Sequence, residues 1–184
     1  MKLIYVLLGQ TNSGKTTLLN ILKSMGYSTI TPYTTRPIRE GEIDGVDYRF
    51  ISKNRYNFLS YINLLISKFK AENGWEYGID IRDLRKEKDC LVTLDPSGLR
   101  DLIERYGEDS ITSIYLKVPY EERKQRGEKR DKDNHTELLR RLSSDKKDFE
   151  NIEKIVDHII TDQKIDKILL KVFKIINLVI YGSF

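Results

Sequence analysis

Short apolar runs recur along the chain, separated by stretches with helical spacing. Leu3–Leu8 is six consecutive apolar residues, the pattern of a strand buried on both faces. Thr17 to Met25 follows with apolar positions three and four apart, and Gly26 closes it as a helix C-cap. Ser28–Thr31, Leu91–Leu94, Ile111–Leu116 and Val156–Thr161 read as further strands. Arg100–Tyr106 reads as a helix ended by Gly107. Strands alternating with helices predict an α/β fold, a parallel sheet with helices on both faces.

Residues 33–88 break that rhythm. Glycines and tyrosines are frequent there, and Asn73-Gly74 is a hairpin signal. It is expected to join strands near Phe69–Glu72 and Trp75–Ile79, with a helix-like segment from Phe58 to Ile66 before them. The region reads as an α+β subdomain inserted into the sheet. A charged stretch, Pro119 to Leu142, carries a capping-box pattern at Asn134 and Glu137. The C-terminal run Ile165–Ile180 is apolar but interrupted by Lys167, Lys171 and Lys174. It is expected to be an amphipathic helix packed on the core rather than a membrane span.

Composition changes this picture little. The 184 residues suit one domain, with 39% hydrophobic and 33% charged residues. The balance of 32 basic against 28 acidic residues gives +4. That suits a phosphorylated ligand and is too small to argue for nucleic acid. No signal-peptide layout or bilayer-spanning run stands out, so a cytoplasmic protein without membrane partners is expected. Cys90, in an apolar run, is expected to be a buried core thiol. His135 and His158 have no cysteine partners at metal-ligand spacing.

The chemistry is concentrated in two strings. Gly9-Gln10-Thr11-Asn12-Ser13-Gly14-Lys15-Thr16 fits G-x-x-x-x-G-K-[ST], set between the first strand and the first helix. Such a loop turns successive N–H groups toward phosphate oxygens, and the start of the helix adds its dipole. Gly9 through Thr17 are the expected ATP-binding residues. Lys15 is to reach the β- and γ-phosphates, and the Thr16 hydroxyl to ligate Mg²⁺. The second string, Thr34-Thr35-Arg36-Pro37-Ile38-Arg39-Glu40-Gly41-Glu42-Ile43-Asp44-Gly45-Val46-Asp47-Tyr48-Arg49-Phe50, holds two arginines three apart and a tyrosine. Guanidinium forks bind phosphate, so a second phosphorylated ligand is expected opposite the first.

Together the strings resemble the guanylate kinase family, from about Leu3 to Thr161. The resemblance implies a phosphate-loop core (1–32, 89–122 and 143–184), a monophosphate-binding subdomain (33–88) and a helical lid (123–142). It implies phosphoryl transfer from ATP with Mg²⁺ to a nucleoside monophosphate, GMP or dGMP first. Arg36, Arg39, Tyr48 and Tyr77 match residues that hold the acceptor phosphate. Asp95 matches an acid at a strand end, and Glu72 is the acid nearest the expected base reader. Arg126, Arg130 and Arg141 match the arginines that close on the transferring group, catalytic together with Lys15. The departures cluster where guanine is read: Pro32 and Ile79 stand where the family usually has hydroxyls, Lys68 falls where a glutamate is expected, and Thr93 replaces an acid. An asparagine expected after the last strand falls near Thr161 or Asp162. Other acceptors, a different nucleotide or a sugar phosphate, therefore stay open. So does a binding module without turnover.

Overall fold

A computed structural model describes residues 3–71, 73–84, 88–130 and 135–181. Glu72 and Asn134, singled out above, lie outside them. The first sheet has four parallel strands in the order β6-β1-β7-β8, built from β1 (Ile4–Gly9), β6 (Cys90–Thr93), β7 (Ile111–Leu116) and β8 (His158–Ile160). β1 is central, and all six of its residues are buried. A strand covered on both faces needs this unbroken apolar run. Cys90 is buried on β6, as expected, while both histidines are exposed.

Helices α1 (Lys15–Ser24), α4 (Pro96–Tyr106), α5 (Tyr120–Arg130), α6 (His135–Asp148) and α7 (Ile165–Tyr181) accompany the sheet. Two apolar clusters fill its faces. Leu18, Leu19 and Leu22 of α1 pack with Ile168, Val172 and Ile176 of α7 against Tyr5, Leu7, Ile114 and Leu116. α7 is thus the amphipathic core helix expected from its lysine-interrupted pattern. Among the described residues no helix is long and apolar enough to cross a membrane. On the other face Leu99 and Leu102 of α4 pack with Ile4, Val6, Leu8, Val92 and Leu94.

A second, mixed sheet runs β3-β2-β5-β4, from β2 (Tyr33–Thr34), β3 (Arg49–Phe50), β4 (Leu65–Lys70) and β5 (Glu76–Asp80). The Asn73-Gly74 hairpin forms as expected. Gly74 sits at φ +83°, a left-handed conformation that glycine adopts without strain, and its N–H donates to the Ala71 carbonyl at 2.8 Å. Ile66 and Ile79 of this sheet join the cluster around α4, so one apolar core links the two sheets.

Two expectations need correction. The helix-like segment Phe58–Ile66 divides: α2 (Lys53–Tyr61) ends and Leu65 opens β4. Asn63, at φ +55°, turns the chain between them. A short apolar run does not by periodicity alone distinguish a helix end from a buried strand. Ser28–Thr31 is not a full strand. Ile30 N–H donates to Leu91 O, and Leu91 N–H to Ser28 O, giving one isolated bridge at Thr29. Pro32 follows and has no N–H with which to extend the ladder.

Because Leu99 is fully buried where both sheets meet, Leu99→Ala is expected to lower unfolding stability by about 2–5 kcal/mol. Urea denaturation should show the midpoint falling with the slope unchanged.

Candidate functional site

The loop of residues 10–14 crosses the C-terminal end of β1 and enters α1 at Lys15. Gly14, at φ +96°, is the residue before the helix. Gly9 has no room for a side chain: a Cβ would collide with the Ser13 side chain and lie 3.2 Å from the Leu116 carbonyl. The Lys15 ammonium folds back and donates to the carbonyls of Gly9 and Gln10, the latter at 3.1 Å. Burial pulls its pKa down to about 8, against the attraction of Asp145.

A cavity of about 270 Å³ opens beside this loop. Its walls bring together Lys15 and Thr16 with Arg36, Arg39 and Tyr48 of the second string and with Tyr77, Asp95, Arg130 and Arg141. Distant stretches of sequence thus meet around one cavity. A second cavity, of about 460 Å³, lies along residues 12–18 and is bounded by Arg126, Arg130, Gln163, Ile165 and Ile168. Thr17 lines this second cavity, and Thr16 and Arg130 line both.

An acid on the same cavity wall, Glu42, holds two of the cations in place. Arg36 is 4% exposed and forms a two-pronged pair with Glu42, at 2.6 Å for one prong and 2.5 Å for the other. Its guanidinium also lies over the rings of Tyr48 and Phe50, 4.8 and 5.1 Å from their centroids. Glu42 accepts the Arg39 N–H as well, at 2.9 Å. Burial pushes the Glu42 carboxyl up, but the hydrogen bonds from Arg36 and Arg39 outweigh it and hold the group below its ordinary value. Arg39 is pulled below the arginine range by burial, then by the guanidiniums of Arg141, Arg36 and Arg130. Like charges kept this close form a site for an anion. Burial raises Tyr48 to about 12, so it remains a neutral hydroxyl donor.

Arg126 reaches the Ser13 carbonyl at 3.5 Å and the Gln163 carbonyl at 3.4 Å, which docks α5 on the loop. Asp95 caps α4: its Oδ1 accepts the N–H groups of Ser97 and Gly98 at 2.7 and 3.0 Å. Pro96 at the first helical position extends this helix four residues beyond the sequence reading.

Side chains of β4, β5 and β6 form one wall of the first cavity, including Ser67, Phe69, Ile79 and Thr93, with Pro32 and Ala71 beside them, while Ser144, Asp145 and Asp148 of α6 line it too. Ser67 sits at φ +49° in a register shift between Ile66 and Phe69. Its hydroxyl donates to the Gly98 carbonyl at 3.2 Å, and its N–H to Asp101 at 2.6 Å. Lys68 is exposed and donates to the Ser60 hydroxyl at 3.1 Å.

Sequence reasoning missed Glu42, although it stands within the second string, and Asp145. The latter is legible on reflection: Leu138, Leu142 and Asp145 form the buried face of α6, so a carboxylate occupies an apolar stripe.

The fold and the two cavities define a phosphate-loop α/β protein with a cation-lined cleft. Comparison narrows the class. A family model described as guanylate kinase matches residues 1–178. The guanylate kinase of Sulfurimonas denitrificans is 31% identical over 167 residues, covering 86% of this chain and 80% of that one. That of the Wolbachia of Brugia malayi is 28% identical over 180 residues, covering 95% and 91%. The crystal structure of guanylate kinase from Anaplasma phagocytophilum superposes with a TM-score of 0.76 at 23% identity, covering 96% of this chain and 85% of that one. The chain belongs to the guanylate kinase family.

The carboxylate behind Arg36 makes stability pH-dependent. Glu42 has a folded pKa below its unfolded value of about 4.3, so its contribution is present above that pH and lost as pH falls through the folded value. Glu42→Gln is expected to lower stability at pH 7 and to flatten its decline below about pH 4.3. Thermal melts of both proteins from neutral to acid pH check this.

Proposed function

We propose that this protein transfers the γ-phosphoryl group of Mg-ATP to the phosphate of a nucleoside monophosphate, with GMP and dGMP the first acceptors and a loose hold on the base. The observation that carries the reading is the single cleft where Lys15 of the phosphate loop faces Arg36, Arg39, Arg130 and Arg141. Phosphoryl transfer asks for this: positive charge around two phosphates brought end to end, with positioning supplying most of the rate. ATP would lie along residues 9–17 with its nucleoside toward the second cavity. The acceptor phosphate would lie against Arg36, Arg39, Tyr48 and Tyr77.

The donor set fits Mg²⁺. Thr16 and Asp95 offer oxygens in the same cavity, as a hard cation prefers. Among the described residues no group of three or more His, Cys, Asp or Glu could hold a metal. Nucleotide phosphates would therefore complete the coordination, as Mg²⁺ usually requires. Bound there, it would neutralise charge on the transferring group.

Two substitutions separate the halves of the cleft. Lys15→Ala is expected to lower kcat by orders of magnitude. Arg39→Ala is expected to raise the acceptor KM by roughly tenfold to a hundredfold, the loss of a charge-assisted contact, with ATP affinity almost unchanged. Steady-state kinetics and ATP titration check both. ATP affinity collapsing in Arg39→Ala would overturn the two-site assignment.

The wall built by β4, β5 and β6 favours loose base selection. Pro32 and Ile79 offer no side-chain hydrogen bond, the Ser67 hydroxyl is engaged with Gly98, and the Lys68 ammonium is turned to Ser60. Hydrogen-bond readout rejects a wrong base by about 10⁴ or more, and beyond Tyr77, which the acceptor phosphate would engage, these strands add only the Thr93 hydroxyl. GMP is therefore expected to lead AMP, CMP and UMP by far less, with Ile79→Ser widening the gap. ADP formation from Mg-ATP across these acceptors and common sugar phosphates measures it. A 10⁴-fold preference for guanine would overturn the base reading. Nucleotide binding without turnover on any acceptor would make the chain a binding module.

A further inference from the structure

The group that neither string explains is Asp145. It fills a position of the buried stripe of α6, and it meets Arg123 of α5 at 3.1 Å, with both side chains largely out of water. Arg123 Nε donates to the Val118 carbonyl at 3.1 Å. For packing alone, two apolar side chains of the same volume would serve as well or better than a desolvated ion pair. The carboxylate has other contacts that no apolar residue could make. Its Oδ2 accepts the Thr11 N–H at 2.8 Å, and its Oδ1 accepts the Thr11 hydroxyl at 3.1 Å.

Neighbouring contacts run the same way. The Gln10 side chain donates to the Asp145 carbonyl at 3.4 Å, and the Asn12 side chain donates to the Arg123 carbonyl at 3.1 Å. Three consecutive loop residues are thus each tied to α5 or α6, and Asn12 is kept at φ 62°. The Lys15 ammonium hangs on the carbonyls of Gly9 and Gln10, beside the tied segment.

We propose that Asp145, held by Arg123, is a positioning residue for phosphoryl transfer: it fastens the front of the phosphate loop to the helices that carry Arg126, Arg130 and Arg141, so that loop and arginines are set as one body. The inference rests on the kinase reading for its rate consequence, and on hydrogen bonds alone for its structural one.

The test uses Asp145→Asn, Thr11→Val and the double variant in the full chain. Thr11→Val leaves the buried pair intact, so it stays informative if Asp145→Asn fails to fold. Hydrogen exchange of amides in residues 9–16 reads the loop without reference to turnover. It is expected to quicken in Asp145→Asn. Both single variants should lose about tenfold or more in kcat, the scale of a charge-assisted hydrogen bond. The acceptor KM should move by no more than about twofold, and the double variant should be no worse than the worse single one, because the two share one contact. Unchanged exchange with kcat within about twofold of the parent in folded variants would overturn the proposal. So would fully additive losses, which would mean that Thr11 acts on nucleotide independently of Asp145. If the parent transfers phosphate to no acceptor, the kinase reading fails. Exchange in Asp145→Asn, or in Thr11→Val should that variant not fold, then still decides whether Asp145 sets the loop.

Discussion

Mutual repulsion among cations is the constraint around which this molecule is built. Lys15, Arg36, Arg39, Arg130 and Arg141 face one cavity, where burial first and the neighbouring guanidiniums second pull Arg39 below the arginine range. Such a set would spread into solvent if each side chain were free to turn. Acids among them restrain it: Glu42, itself on the cavity wall, grips Arg36, and Glu137 lies 2.8 Å from Arg140 next to Arg141. Glu42 thereby offsets the burial of the cation it pairs with. The result is a preorganised positive surface, which stabilises developing charge more than mobile side chains could.

That arrangement needs a stiff base. β1 delivers the phosphate loop from the middle of the parallel sheet, with β6 and β7 fixing it on either side. Apolar packing of α1 and α7 on one face and α4 on the other leaves the strand no freedom to shift. The same core continues through Ile66 and Ile79 into the second sheet, which carries the Arg36–Tyr48 string. The two halves of the cleft are therefore set against each other by packing.

How much of this the sequence revealed depends on how local each feature is. The phosphate loop, the arginine–tyrosine string, the Asn73-Gly74 hairpin and the Gly26 helix end are written in contiguous residues, and all could be read; the Asp95 cap that starts α4 was missed. Features decided by tertiary contact could not. The strand beginning at Leu65 looked like a continuing helix, because Asn63 at φ +55° is a turn that periodicity does not announce. The pairing of Ser28–Thr31 with β6 stopped after one bridge for want of an N–H at Pro32. Arg123 and Asp145, 22 residues apart, meet only because two helices return on each other. Only the place of Asp145 in an apolar stripe hinted at it.

The two sides of the cleft differ in the same way. Its cations come from the phosphate-loop motif, the second string and the helices α5 and α6, where charge patterning acts over a few residues. Another wall is built from strands, where facing alternates and one irregularity decides which residue turns inward. At Ser67 the register shifts: Ser67 and Phe69 line the cavity and Lys68 points outward to Ser60. The lysine where the family resemblance puts an acid is thus carried away from the cavity rather than into it. A chain can alter this wall while its cation set stays intact, because none of those cations stands on β4. The strand-built wall is for that reason the part of the cleft most open to change in this fold, and the cation set the least.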